Sequence, residues 1–313
     1  MLGKTAGGLF WMFRYLERSE NTARLVDAGF HMALTRSSSS RDEWISVIQT
    51  AGARDAFMAR HEEASAGAVV DFLLRDRANP SSVMSVVEEA RNNARLVRTA
   101  LTREVWEATN ECWISLKEAL ARPLRERELP ATLALIRQQS AFVRAALHGT
   151  MLRNDIYDFA RLGTFLERAD NTARILDVKY YVLLPSVMHV GSSLDNVQWE
   201  TILRSVSAQR AFRWLNEGDV NPRAIAEFLI LDRRLPRSLA FCATKIADNL
   251  GFLANNYGQR NACQDAADAI VARLRGNTVE AIFEYGLHEF IEDFIRDNNA
   301  LARQIESDYR FYG

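Results

Sequence analysis

The sequence predicts an all-α protein: a multi-helix bundle of about twelve helices built from two tandem, pseudo-twofold-related halves. Three observations carry this. Glycine and proline are scarce, apolar residues recur with helical spacing and never alternate long enough for a strand, and three blocks occur twice in the same order. The 313 residues include 15 Gly and 6 Pro, where average usage would give roughly 22 and 16. A turn-rich all-β fold needs more of both. A chain of this length buries a large core without disulfides or metal. No stretch rich in Gly, Pro or Ser separates independent units, so a single domain over 1–313 is expected, with internal repeats 1–150 and 151–313.

From the N-terminus, the apolar run Leu9–Phe13 is too short for a signal-peptide core, and no small-residue cleavage site follows it. Leu16–Asp27 is expected to lie on a long helix, as is Leu166–Asp177. At roughly 100° per residue, Met12, Leu16, Ser19, Ala23, Val26 and Phe30 share one stripe, the expected core seam. Beside it run Glu17, Glu20, Arg24, Asp27 and His31, spaced to stay on one face. Arg36–Arg41, with four serines, reads as a loop, and Ser40 with Glu43 as a capping box. Asn79-Pro80-Ser81 and Pro130 mark further helix starts. In the second half the equivalent stripe is Glu167, Asp170, Arg174, Asp177 and Tyr181, followed by a loop at Val187–Asp195 and a helix start at Asn221-Pro222. The longest apolar stretch, Tyr180–Val190, contains Pro185 and His189 and is far short of the ~20 residues of a membrane span. No membrane association is expected.

The repeats define the halves. LERSENTARLVD (Leu16–Asp27) and LERADNTARILD (Leu166–Asp177) lie 150 positions apart and agree at eight of twelve positions. At an offset of 155, Trp44, Ala53, Ala56 and Phe57 match Trp199, Ala208, Ala211 and Phe212. At 156, FLLRDRANPSS from Phe72 matches FLILDRRLPRS from Phe228. Ordered blocks with a drifting offset are economically explained by duplication with small insertions.

Charge and cysteine usage narrow the function. With 39 basic and 40 acidic residues, net charge −1, the chain lacks the basic excess of a nucleic-acid binder. Of the 39, all but Lys4, Lys117, Lys179 and Lys245 are Arg, which suits bidentate pairing with carboxylates. Three cysteines, Cys112, Cys242 and Cys263, with no CxxC, fit buried thiols in a reducing cytoplasm. There is no GxxxxGK[ST] or GxGxxG, no strand to carry either, and no GxSxG or HExxH. Neither a cofactor nor a metal is expected, and a homo-oligomer is compatible with the sequence.

The candidate site is the duplicated stripe: Glu17, Arg18, Glu20, Asn21, Arg24 and Asp27 with Glu167, Arg168, Asp170, Asn171, Arg174 and Asp177. On a solvated face, Glu20–Arg24 and Arg24–Asp27 would be minor helical pairs, each about 0.2–0.5 kcal/mol. Yet the copies agree at these polar positions while differing at apolar ones such as Leu25/Ile175 and Val26/Leu176. That places the stripe at a buried seam between the halves, where each charge requires a partner. A salt-bridge network, a ligand or partner pocket, and a catalytic site all remain open. Arg24 in the midst of Glu17, Glu20, Asp27 and His31 opposes a cation there. His61, His148 and His288 read as structural; His288 with Glu292 has the i,i+4 spacing but no third partner. The second shared block, Asp76-Arg77 and Asp232-Arg233 with Pro80 and Pro236, reads as a helix end, a bend and a new helix start.

FRYLERSENTARLVD from Phe13 and GTFLERADNTARILD from Gly163 resemble the ER motif of bacterial alpha-E domain proteins, and the Asp-Arg blocks resemble that family's other recurrent segment. The resemblance covers nearly the whole chain. The family pattern often has Gly-Arg before Leu-Glu-Arg; here one copy has Phe13-Arg14 and the other Gly163-Thr164. The resemblance implies association with a circularly permuted ATP-grasp amide ligase, often beside a transglutaminase-like peptidase. The expectation is therefore a noncatalytic helical partner of that ligase in peptide or amide-bond synthesis. The alternative is an enzyme using Glu17 and Glu167 as acid-base or ligand-binding carboxylates at the seam.

Overall fold

A computed structural model describes residues 1–35, 40–182, 193–216 and 221–312. Among these residues the secondary structure is helical throughout, without a strand. The first seven helices are α1 (Gly3–Thr35), α2 (Ser40–Thr50), α3 (Arg54–Met58), α4 (Ala66–Leu74), α5 (Val83–Leu96), α6 (Arg103–Ala119) and α7 (Leu129–Thr150). The remaining eight are α8 (Asp155–Val182), α9 (Ser193–Ser205), α10 (Gln209–Leu215), α11 (Pro222–Ile230), α12 (Leu239–Tyr257), α13 (Ala262–Arg275), α14 (Val279–Tyr285) and α15 (Leu287–Asp308). Fifteen α-helices among the described residues exceed the twelve expected, because α3, α10 and α14 are only 5, 7 and 7 residues long. One or two turns are too short to leave a readable apolar period.

Local chemistry sets the ends. Ser65, Ser82, Thr102, Asn221, Ser238 and Thr278 each accept a backbone N–H as N-caps, satisfying donors that the first turn leaves open. Pro130 and Pro222 sit in the first turns of α7 and α11, where no N–H is needed. The loops expected at 36–41 and 187–195 fall at 36–39 and 187–192 outside the described residues, as do the side chains of Ser40 and Tyr181; α2 and α9 already begin at Ser40 and Ser193.

The two ER-motif helices, α1 and α8, pack against each other at the centre, with α5 and α7 on α1 and α12 and α15 on α8. They approach closely at Gly163, where a Cβ would stand 2.1 Å from the Phe10 carbonyl oxygen. Two apolar clusters flank this crossing. One gathers Met12, Leu16, Ala23 and Val26 with Trp44, Phe57 and Phe72; the other gathers Leu166, Ala173 and Leu176 with Trp199, Phe212 and Phe228. The clusters interlock, since Leu9 and Phe10 of α1 belong to the second and Ala160 of α8 to the first. Each fully buried Leu or Phe contributes about 1.5–3 kcal/mol, so this sharing binds the central helices into both cores. The predicted α1 stripe is buried from Met12 to Val26, and Phe30 is half-buried.

Candidate functional site

Helical periodicity puts Glu17 and Glu20 on one face of α1 and Glu167 and Asp170 on the corresponding face of α8. The crossing turns these faces together. Arg168 Nε and Nη2 donate to Glu17 Oε1 and Oε2 at 2.8 and 2.9 Å. Reciprocally, Arg18 Nε and Nη2 donate to Glu167 Oε1 and Oε2 at 2.5 and 2.9 Å. Planar guanidinium and carboxylate groups match in such a fork, and the ionised partners shorten the bonds. Arg14 Nε adds a bond of 3.0 Å to Glu167 Oε2, and its guanidinium lies 4.8 Å from the Trp11 ring centre.

Three further arginines converge on the α1 carboxylates. Arg24 donates to Glu20 at 2.7 and 3.0 Å. Arg144 of α7 pairs with Glu20 and stands 3.4 Å from Glu17. Arg237, just ahead of α12, reaches Asn21 Oδ1 at 2.9 Å and Glu20 at 2.7 Å, with Glu17 at 3.2 Å. Asn21 Nδ2 in turn donates to the Glu167 carbonyl at 3.5 Å. On α8, Arg174 donates to Asp170 at 2.7 Å.

Burial and pairing oppose each other in this cluster, and pairing wins. Glu17, Glu20 and Glu167 are 1%, 1% and 5% exposed, and burial alone would push each carboxyl pKa up. Arg168, Arg237 and Arg144 instead hold Glu17 well below the usual carboxylate range, and Arg18 and Arg14 bring Glu167 down to about 2. Glu20 is also lowered, by Arg237, Arg144 and Arg24. Arg237 itself falls to about 10, chiefly through burial, with Arg168 and Arg24 adding repulsion.

At the outer turns the partners differ from those the spacing suggests. Asp27 pairs with Arg137 of α7 at 2.9 Å, not with Arg24. Asp177 accepts from His288 Nδ1 at 2.6 Å, and Glu292 lies 3.4 Å from Nε2, so His288 does have the third partner that its spacing did not reveal. Arg24 also donates to Ser207, while a side chain at Gly52 would meet Arg174. Gly52 and Ser207, 155 positions apart, both adopt left-handed φ, 66° and 55°.

The second shared block forms the expected turns. Asp76 accepts from the Ala78 N–H at 2.9 Å and pairs with Arg60, and Arg77 pairs with Glu88. Asp232 accepts from the Arg234 N–H at 2.7 Å and pairs with its side chain, while Arg233 borders a separate cavity of about 640 Å³. Asp76, Arg77, Asp232 and Arg233 therefore stay outside the seam; Arg237 at the end of the block enters it. Sequence reading missed Arg137, Arg144 and Arg237 as seam partners. Their only signal was the i,i+7 spacing of Arg137 and Arg144 on one face of α7, and a cation at 237 where the first copy has Ser81.

A cavity of about 250 Å³ opens between α1 and α8, bordered by Arg18, Asn21, Glu167, Asp170, Arg174 and Ser81, among others. A larger one, about 690 Å³, is lined by Phe30, Trp44, Val70 and Leu129 and shares no residue with the seam. We place the candidate site at the smaller one because the converging charges and amides are there. Among the described residues, no group of three or more His, Cys, Asp or Glu is arranged to hold a metal ion, and no helix is long and apolar enough to cross a membrane. All three cysteines are buried, and burial pushes the Cys112 and Cys242 thiols up to about 12.

Comparison with known proteins agrees with the helical architecture. The family Alpha-E, described as a predicted alpha-helical domain with a conserved ER motif, matches residues 1–309. An uncharacterized protein of Mycobacterium bovis is 23% identical over 318 aligned residues, covering 95% of this chain and 35% of its own length. Uncharacterized proteins from two strains of Mycobacterium tuberculosis match to the same extent. The chain thus spans about a third of the length of these relatives. No solved structure matches it.

Proposed function

The chain belongs to the Alpha-E family, and from that premise we propose that it is a noncatalytic, cytoplasmic helical partner of a circularly permuted ATP-grasp ligase. It would hold the ligase, or present its substrate, during peptide or amide-bond synthesis or modification. We take its two halves as copies packed about a pseudo-twofold along the α1–α8 crossing, with the reciprocal Arg168–Glu17 and Arg18–Glu167 pairs in support.

The observation that carries the noncatalytic reading is the state of the seam carboxylates. A general acid or base works with a pKa near the operating pH and a free lone pair or proton. Neither Glu17 nor Glu167 meets the first condition, since both are held ionised, each in the two-pronged grip of an arginine. This disfavours an enzyme whose acid-base pair is Glu17 and Glu167. The ligase partnership rests on the family resemblance. It is in keeping with relatives in which the matched stretch makes up 35% of the length and is joined to further chain.

The test is to mix the purified protein with a circularly permuted ATP-grasp ligase from the same organism and to measure comigration and ligase turnover. A stable complex needs about 1,200 Å² or more of buried surface. Comigration with altered turnover, and no ATP hydrolysis by this chain alone, is the expected result. Failure to associate at micromolar concentration, with turnover of a metabolite by the chain unaided, would overturn the proposal.

A further inference from the structure

The recurring blocks align Glu17 with Glu167, Glu20 with Asp170, Asn21 with Asn171 and Arg237 with Ser81. At the first set of positions the site is filled from within. The Arg237 guanidinium, buried with its carrier residue 7% exposed, donates to Asn21 Oδ1 and Glu20 and stands 3.2 Å from Glu17. At the second set no side chain among the described residues takes that place. Ser81 borders the 250 Å³ cavity together with Glu167, Asp170 and Asn171. Asn171 Oδ1, counterpart of the oxygen that receives Arg237, is buried and accepts no hydrogen bond among the described residues. Asp170 is also one methylene shorter than Glu20, which leaves further room on the same wall.

We propose that this cavity binds an alkylguanidinium group of a ligand in the place that Arg237 occupies at the matching site, with Asn171 Oδ1, Asp170 and Glu167 as acceptors. The unmet group is an acceptor, so the ligand must be a donor; leaving a buried acceptor unpaired is unfavourable, and pairing it with a charged donor is among the stronger hydrogen bonds. The neighbouring arginines do not forbid a cation. Four guanidiniums, those of Arg24, Arg144, Arg168 and Arg237, already surround Glu17 and Glu20. Among the described residues three, Arg14, Arg18 and Arg174, serve Glu167 and Asp170. Position 302, which holds the same place in α15 as Arg144 does in α7, is Ala302. One bound guanidinium therefore gives the second site the ratio of cations to carboxylates that the first already sustains. An anionic ligand would instead have to take Arg18 and Arg174 from the carboxylates they grip. The space suits one side-chain-sized group and is smaller than the pockets that enclose whole cofactors. The proposal rests on the correspondence of the two halves and not on the ligase partnership, so loss of ligase binding would leave it standing.

Calorimetry and NMR titration of the full chain with agmatine and with the peptide Gly-Arg-Gly test it, with inorganic phosphate and the uncharged ureido analogue of agmatine as controls. Agmatine should bind in the millimolar range, as a single small cation does, and neither control should. Tighter binding of the peptide would identify an arginine side chain as the source of the group; equal binding would identify a free cation. Ser81→Arg should copy Arg237, fill the cavity, raise the melting temperature and abolish binding. If that variant does not fold, Asn171→Leu, which removes the acceptor, should weaken binding about tenfold or more. Absence of agmatine and peptide binding, binding unchanged in Ser81→Arg or Asn171→Leu, or phosphate binding in their stead would overturn the proposal.

Discussion

Arg168 on α8 grips Glu17 on α1 through two hydrogen bonds of 2.8 and 2.9 Å that span 151 residues of chain. Glu17 is 1% exposed. A charge so deeply placed is tolerated only with its partners present, so the contact ties the register of the two central helices to their electrostatics.

Glu17→Ala and Glu167→Ala should each destabilise the fold by about 3–5 kcal/mol, the cost of stranding a buried partner charge. Arg168 loses its carboxylate in the first variant, where Arg144 and Arg237 keep Glu20 alone, and Arg14 and Arg18 lose theirs in the second. Glu107→Ala, which breaks the exposed i,i+4 pair with Arg103, serves as the control and should melt like the parent. If all three variants melt alike, the seam adds no stability, and its arrangement must serve another end.

Stability should fall as the solution is acidified through the carboxylate range. Glu17, Glu20 and Glu167 have folded pKa values lowered from 4.5. Their unfolded forms thus bind protons first, and the stability they add is present above about pH 4.5 and lost below it. Urea unfolding at about pH 6 and about pH 3 should show a lower midpoint at the acid value, and Glu17→Ala should show a smaller pH dependence.

Asp158 carries the opposite sign. It is 6% exposed, and burial, with Asp155 nearby, pushes its carboxyl from 3.8 up to about 7. The folded state therefore holds this proton where the unfolded state has released it, and stability is lost as pH rises from 3.8 through about 7. Asp158→Asn stays neutral and should melt above the parent at about pH 8, with the gain vanishing near pH 4. An equal offset at both values would locate the effect in packing.

Gly163→Ala should force the central helices apart, because the new Cβ would stand 2.1 Å from the Phe10 carbonyl oxygen and both atoms belong to backbone-anchored groups. Overpacking of this kind costs about 1–3 kcal/mol or more. Gly251, inside α12, has nothing within 4 Å of the same added atom. Gly251→Ala should therefore stabilise by up to about 1 kcal/mol through helix propensity. Paired thermal melts of the two variants give the comparison.

From the sequence alone came the helical class, the buried α1 stripe, the turns after Asp76 and Asp232, and the membership of Glu17, Glu20, Glu167 and Asp170 in one seam. These are properties of periodicity and local capping, and they depend on residues within a few turns of one another. The short helices α3, α10 and α14 escaped because a single turn or two carries no period. The pairing of charges was decided by tertiary structure. Arg24 is four residues from Glu20 and three from Asp27, yet Asp27 goes to Arg137, and Arg237 reaches Glu20 across 217 residues. His288 likewise finds Asp177 from 111 residues away. Buried ions select partners by which helices the apolar cores bring together and by the desolvation each must offset. Sequence spacing encodes neither of these, and for the same reason the difference between Ser81 and Arg237 acquires meaning only beside an unpaired Asn171 oxygen.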